Sequence, residues 1–213
     1  MNKLNFFSSV ALALALVSQA RATTVTLGGT FVAGEGVESS VAGAHTTTFD
    51  GLTALPAGFV AQGTNPAIPL AGGSLTNVYL TPTGDTSTYL TTGTGFILDY
   101  AIPAGSTYFG FYWGSVDTYN TFQINQSNGH NFQLTGTTLE SMFPTINVNG
   151  NNSYFVNVYA DPGTTFTSAG FASSINSLEV DNIATATPEP ASIALLAGGL
   201  LLVAGAVRRR RKA

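Results

Sequence analysis

Apolar residues recur at every second position through most of the chain between residues 25 and 183, and no long 3.6-residue pattern competes with them. In Phe96-Ile97-Leu98-Asp99-Tyr100-Ala101-Ile102 one face collects Phe96, Leu98, Tyr100 and Ile102, and Pro103-Ala104-Gly105 then turns the chain. Thr107 to Trp113 follows, with Phe109, Phe111 and Trp113 on one face and Tyr108, Gly110 and Tyr112 on the other. Phe122 and Ile124 share a face of the next strand. Phe132 and Leu134 repeat the pattern beyond Asn128-Gly129, which predicts a hairpin with a longer loop. Tyr154, Val156 and Val158 alternate with Phe155, Asn157 and Tyr159 as far as Asp161-Pro162-Gly163, and a last strand is expected from Ser177 to Ile183. Residues 25–80 are interrupted by Gly, Pro and Thr; the candidate strands there are Val25–Leu27, Thr46–Phe49, Phe59–Gln62 and Val78–Leu80. One helical turn is expected near Leu139–Phe143, stopped by Pro144. Roughly nine or ten short strands separated by turns predict a single all-β domain over residues 23–186, a β-sandwich or jelly roll.

Charge changes this picture at the ends. All seven Lys and Arg residues lie outside the strand-rich region: Lys3, Arg21, Arg208, Arg209, Arg210, Arg211 and Lys212. Between Thr23 and Thr187 there are ten acids and no Lys or Arg. A body without cations cannot neutralise phosphates, so nucleic acid is excluded as a partner. Its acids must be balanced by hydrogen bonds, solvent or bound metal. Cysteine is absent, so stability rests on apolar burial, and fourteen Phe with eight Tyr argue against disorder.

The first 22 residues have the three parts of a signal peptide. Lys3 supplies the positive start, Phe6 to Val17 is apolar apart from Ser8 and Ser9, and Ala20-Arg21-Ala22 offers a small-x-small cleavage site. Export by the Sec machinery and cleavage by signal peptidase between Ala22 and Thr23 are expected. At the other end, Ala191 to Val207 is uncharged with only Ser192 polar, which suits a transmembrane helix at the short limit of what spans a bilayer. The basic residues 208–212 act as a stop-transfer cluster that stays cytoplasmic. Both ends therefore place the body outside the inner membrane, facing the periplasm. Pro188 and Pro190 push Thr187 and Glu189 towards extended backbone, the shape a processing protease needs.

Pro188-Glu189-Pro190-Ala191-Ser192, the Leu/Gly-rich span and the Arg208–Arg211 cluster together resemble the PEP-CTERM sorting signal. That resemblance implies recognition and cleavage by exosortase, a membrane enzyme of the cysteine protease or transpeptidase kind. It also implies delivery to the cell surface or the exopolysaccharide matrix of a biofilm. The aromatic run Tyr108 to Asn120, with Thr48–Leu52 and Glu179–Ile183, is similar to elements found in a subset of PEP-CTERM surface proteins and implies no particular activity.

For chemistry within the body, a catalytic reading finds little support. His45 and His130 lie in polar, turn-like stretches, and no Cys, Lys or G-x-S-x-G elbow is available. The ten acids leave a glycoside-hydrolase pair open without selecting one. The expectation is a non-enzymatic structural, adhesive or glycan-binding protein; the alternative is a glycan-active hydrolase delivered by the same route. Two sites are expected to matter. Asp50, Asp181 and Asn182 offer hard oxygens to a structural Ca²⁺, on the argument that the first and last strands of a jelly roll are often neighbours. Tyr112 and Tyr119, as the solvent-facing rings of the aromatic segment, and Asn120, with its amide, are the groups expected to meet exopolysaccharide.

Overall fold

The computed structural model describes residues 22–63 and 70–188, and in them the chain folds as a β-sandwich. The first sheet runs in the order β1 (Thr24–Leu27), β12 (Tyr154–Tyr159), β9 (Tyr108–Gly114), β14 (Leu178–Ala186), β7 (Thr88–Thr92) and β6 (Leu70–Gly72). A further strand, β4 (His45–Thr47), also pairs with β14. The second sheet is β11 (Asn131–Thr135), β10 (Asn120–Gln126), β13 (Phe166–Ser173), β8 (Phe96–Ala101) and β5 (Phe59–Gly63). Every ladder in both sheets is antiparallel.

Alternation puts the large apolar residues between the sheets. Phe109, Phe111 and Trp113 of β9 meet Phe122 of β10 and Phe171 of β13, all fully buried. Phe111 is the hub, with ring centroids 4.5 Å from Phe122, 5.3 Å from Phe171 and 5.6 Å from Trp113. Rings in this offset and edge-on arrangement attract beyond their area burial. The predicted hairpin is β10–β11, with Phe122 opposite Leu134 and Ile124 opposite Phe132. The predicted helical turn is α1 (Gly136–Met142), whose cap Thr135 accepts from the Thr138 backbone N–H.

The two sheets differ in what covers their outer faces. Val60 and Ile97 of the second sheet are exposed. Over the first sheet lies a third layer, formed by the hairpin β2 (Thr30–Val32) and β3 (Gly36–Glu38) and the segment leading to β4. Val37, Val41 and Ala44 of that layer pack on Tyr108, Tyr112, Phe155, Ala184 and Ala186. Consequently all seven residues of β9 are buried. Tyr108 and Tyr112 are satisfied there by partners: Tyr108 OH lies 2.7 Å from both Asn157 Oδ1 and Ser39 Oγ, and Tyr112 OH donates to Thr83 O at 2.6 Å.

Two expectations are corrected, and one strand appears that the sequence did not suggest. Val78–Leu80 is no strand; Tyr79 makes an isolated bridge to Leu75 around a turn. β13, an interior strand of the second sheet, is built from Phe166-Thr-Ser-Ala-Gly-Phe-Ala-Ser173, whose small residues conceal the alternation. The outer face of β9 is covered rather than wet. The signal-peptide segment up to Arg21 lies outside the described residues. So do Glu189, Pro190, the transmembrane segment 191–207 and the basic residues 208–212.

Candidate functional site

β14 has two partners on one side. Leu178, Glu179 and Val180 pair with Thr92, Thr91 and Leu90 of β7, whereas Ile183, Ala184 and Thr185 pair with Thr47, Thr46 and His45 of β4. Asp181 and Asn182 fall at the fork between them. On the other side the register with β9 shifts between Asp181 and Ala184, so a bulge sits at the same place. Asn182 adopts φ 50°, a left-handed conformation that Asn tolerates better than most residues.

Two loops bring further acids to the fork. Glu35, between β2 and β3, bridges through its backbone to Asp85. Asp85 Oδ1 accepts from the Ser87 backbone N–H and hydroxyl at 2.7 Å, and the same hydroxyl lies 3.4 Å from Asp181 Oδ2. Asp181 Oδ1 accepts from the Asn182 N–H at 2.7 Å, and Asn182 Nδ2 donates to Glu35 O at 2.6 Å and Val37 O at 3.2 Å. The carboxyls of Asp181 and Asp85 stand within hydrogen-bonding reach of each other, as do those of Glu35 and Asp50.

Burial first, then the neighbouring Asp85 and Asp50, pushes Asp181 up to about 9, although the Asn182 N–H opposes this. Burial and then Asp50, Asp85 and Glu38 raise Glu35 as well. Three oxygens at the fork, Glu35 Oε2, Asp85 Oδ2 and Asn182 Oδ1, are inaccessible and have no hydrogen-bond donor.

Of the expected Asp50, Asp181 and Asn182, the structure places Asp181 and Asn182 at the fork and Asp50 against Glu35 beside it, by a different route from the one expected. Asp50 arrives from β4, which pairs with β14, while two strands, β12 and β9, separate β1 from β14 in the sheet. Asp181 and Asn182 are fully buried and Asp50 is exposed. Glu35 and Asp85 were not legible in the sequence, because they reach the fork through long-range loop contacts. Among the described residues, no three Asp, Glu or His side chains already converge as metal ligands. The four acids instead form two acid–acid contacts.

The expected glycan platform is corrected. Tyr112 is 2% and Asn120 0% exposed, so neither presents a face to a sugar. Asn120 Oδ1 accepts from Ser173 Oγ inside the sandwich. Only Tyr119 is partly open. Its hydroxyl lies 2.6 Å from Asp117 Oδ2 and 2.9 Å from Asn176 O, and its pKa is raised by burial and then by Asp117.

Nearby, a cleft of about 370 Å³ is lined by Asn77, Tyr79, Ser115, Asp117 and Asn176, among others. Beneath it Glu179 is fully buried, accepts from Ser115 Oγ and Ser177 Oγ, and is pushed by burial up to about 8. The histidines are apart from this cleft. His45 is an exposed residue of β4, and His130 Nδ1 lies 2.9 Å from Asp161 Oδ2. Burial would raise Asp161, yet hydrogen bonding with Gln126, His130 and Thr23 holds it below the usual carboxylate range. Thr23, the expected first residue after cleavage, donates its hydroxyl to Asp161 Oδ1 at 3.1 Å, while Ala22 is exposed. At the other end Thr187 and Pro188 are exposed and belong to no helix or strand.

No curated protein and no solved structure matches the chain. A family model does match its end, from the last residue of β14 onward. Residues 186–212 are a PEP-CTERM protein-sorting motif, which implies that this is an exported protein sorted by exosortase to the cell surface.

Proposed function

We propose that the body is a non-enzymatic structural or adhesive component of the cell surface or exopolysaccharide matrix. In this reading it is anchored in the inner membrane by residues 191–207 until exosortase cuts near Pro188–Pro190. One observation carries the non-enzymatic part. The cleft that holds an accessible acid, Asp117, has its second carboxylate sealed beneath it, because Glu179 is 0% exposed and bonded to Ser115 and Ser177. Glycoside hydrolysis needs two carboxyl groups facing the same bond, about 5–10 Å apart. The covered tyrosines of β9 favour a structural over a glycan-stacking role.

Fractionation and mass spectrometry of producing cells test this reading. The mature chain is expected in the surface or matrix fraction, beginning at Thr23 and ending near Pro188–Pro190. An intact terminus through Ala213 in cells with active exosortase would refute processing. Release of reducing ends from the producer's own polymer, abolished by Asp117→Asn, would overturn the non-enzymatic assignment in favour of the hydrolase.

A further inference from the structure

We propose that the fork where β14 passes from β7 to β4 is a Ca²⁺ site, held by Asp85, Asp181 and the side-chain oxygen of Asn182 and closed by Glu35. An acidic cluster alone would not justify this. The decisive feature is a buried acceptor without a donor, Asn182 Oδ1 on a residue 0% exposed, beside Asp85 Oδ2 and Glu35 Oε2, inaccessible oxygens that no N–H or hydroxyl serves and whose neighbours are other carboxyls. Buried polar atoms are nearly always paired, and each that is not costs its desolvation in full. Three at one fork call for a common partner.

The orientation of Asn182 strengthens the point. Its Nδ2 donates to two carbonyls, Glu35 O and Val37 O, so exchanging the amide's oxygen and nitrogen would forfeit both bonds. Oδ1 is therefore held on the side away from those carbonyls by the backbone of the covering layer. No protein cation can serve these oxygens, since residues 23–187 contain neither Lys nor Arg. The two histidines are also elsewhere: His45 pairs with Thr185 further along β14, and His130 is bonded to Asp161.

Carboxylate and amide oxygens without nitrogen or sulfur select a hard cation. The ligands come from three separate segments with uneven reach. That suits the variable coordination of Ca²⁺ better than the strict octahedron of Mg²⁺. The acids do not yet surround one point, so binding requires Glu35 to turn from its contact with Asp50 towards Asp85 and Asp181. Because Glu35 belongs to the covering layer and Asp181 to the sandwich, the ion would pin one to the other.

The test uses the full chain in detergent, melted in EDTA or in about 5 mM Ca²⁺ and followed by Trp113 fluorescence. At the weak affinity common in extracellular modules, Ca²⁺ is expected to raise the midpoint by about 2–9 °C. Asp181→Asn and Asp85→Asn are each expected to lose that increment. Glu140→Gln is expected to keep the increment. Tb³⁺ offers a readout that does not depend on any variant folding: Tyr112, against which Gly36 packs, should sensitise its emission, and Ca²⁺ should quench it by displacement. An increment that survives in both Asp variants, or the absence of both melting shift and sensitised emission in the parent, would overturn the site. An equal shift from Mg²⁺ would overturn the assignment to Ca²⁺.

Discussion

Gly36→Ala tests how firmly the third layer is fitted to the sandwich. Gly36 opens β3 at φ 76°, and a Cβ built there runs into Cε1 of Tyr112 and lies 2.9 Å from its Cδ1. The left-handed conformation costs a side chain about 1–2 kcal/mol. The collision adds roughly 1–3 kcal/mol of overpacking, because the ring is buried and its hydroxyl is bound to Thr83 O. Together these give about 2–5 kcal/mol, or a midpoint roughly 10 °C lower for a body of this size. Gly43→Ala is the control, since Gly43 has φ 72° but nothing within 4 Å of its Cβ, and it should show the conformational cost alone. Peptide-resolved hydrogen exchange would locate the damage. In Gly36→Ala, exchange should accelerate over residues 30–47 while β9 and β10 stay protected. Equal melting of the two variants, with unchanged exchange over 30–47, would refute the argument that β3 rests on Tyr112.

Other outcomes follow from the core and from the second buried acid. Phe111→Ala removes the ring shared by Phe122, Phe171 and Trp113 and should cost about 3–5 kcal/mol in urea unfolding. Phe31→Ala, at a side chain 64% exposed, should stay within about 0.5 kcal/mol. Asp161 is held below its ordinary value of 3.8, so its contribution is complete above that pH and is lost as pH falls through the lower folded value. Urea midpoints measured from pH 7 down to 2 should decline on that acid limb. Asp161→Asn should flatten the decline and be less stable at neutral pH; an unchanged acid limb would refute the assignment.

Where a strand separates a large apolar face from a polar one, the sequence was sufficient. β10 alternates buried and half-buried residues throughout, and Phe122 and Ile124 face inward as expected. β9 defeated the same reasoning. Tyr-Phe-Gly-Phe-Tyr-Trp-Gly has apolar bulk on both sides, and a strand of that composition is one covered on both faces. Reading Tyr112 as solvent-facing credited its hydroxyl to water, whereas Thr83 O satisfies it. β13 was illegible for the opposite reason: Ala, Gly and Ser give its two faces little contrast. At the fork, Asp181-Asn182 and Asp50 were linked by expecting the first and last strands to be neighbours, whereas it is β4 that pairs with β14. Glu35 and Asp85 could not be linked, since their bridge joins loops fifty residues apart in sequence.

The sorting motif begins at residue 186, the last residue of β14, so it is continuous in sequence with that strand. β14 is an interior strand, flanked by β9 on one side and by β7 and β4 on the other. Tension from the envelope would enter along its axis, at right angles to the interstrand bonds. Such a pull shears many bonds together, whereas an edge strand would peel away one bond at a time. A load applied through the sorting motif would therefore fall on a strand with partners on both sides.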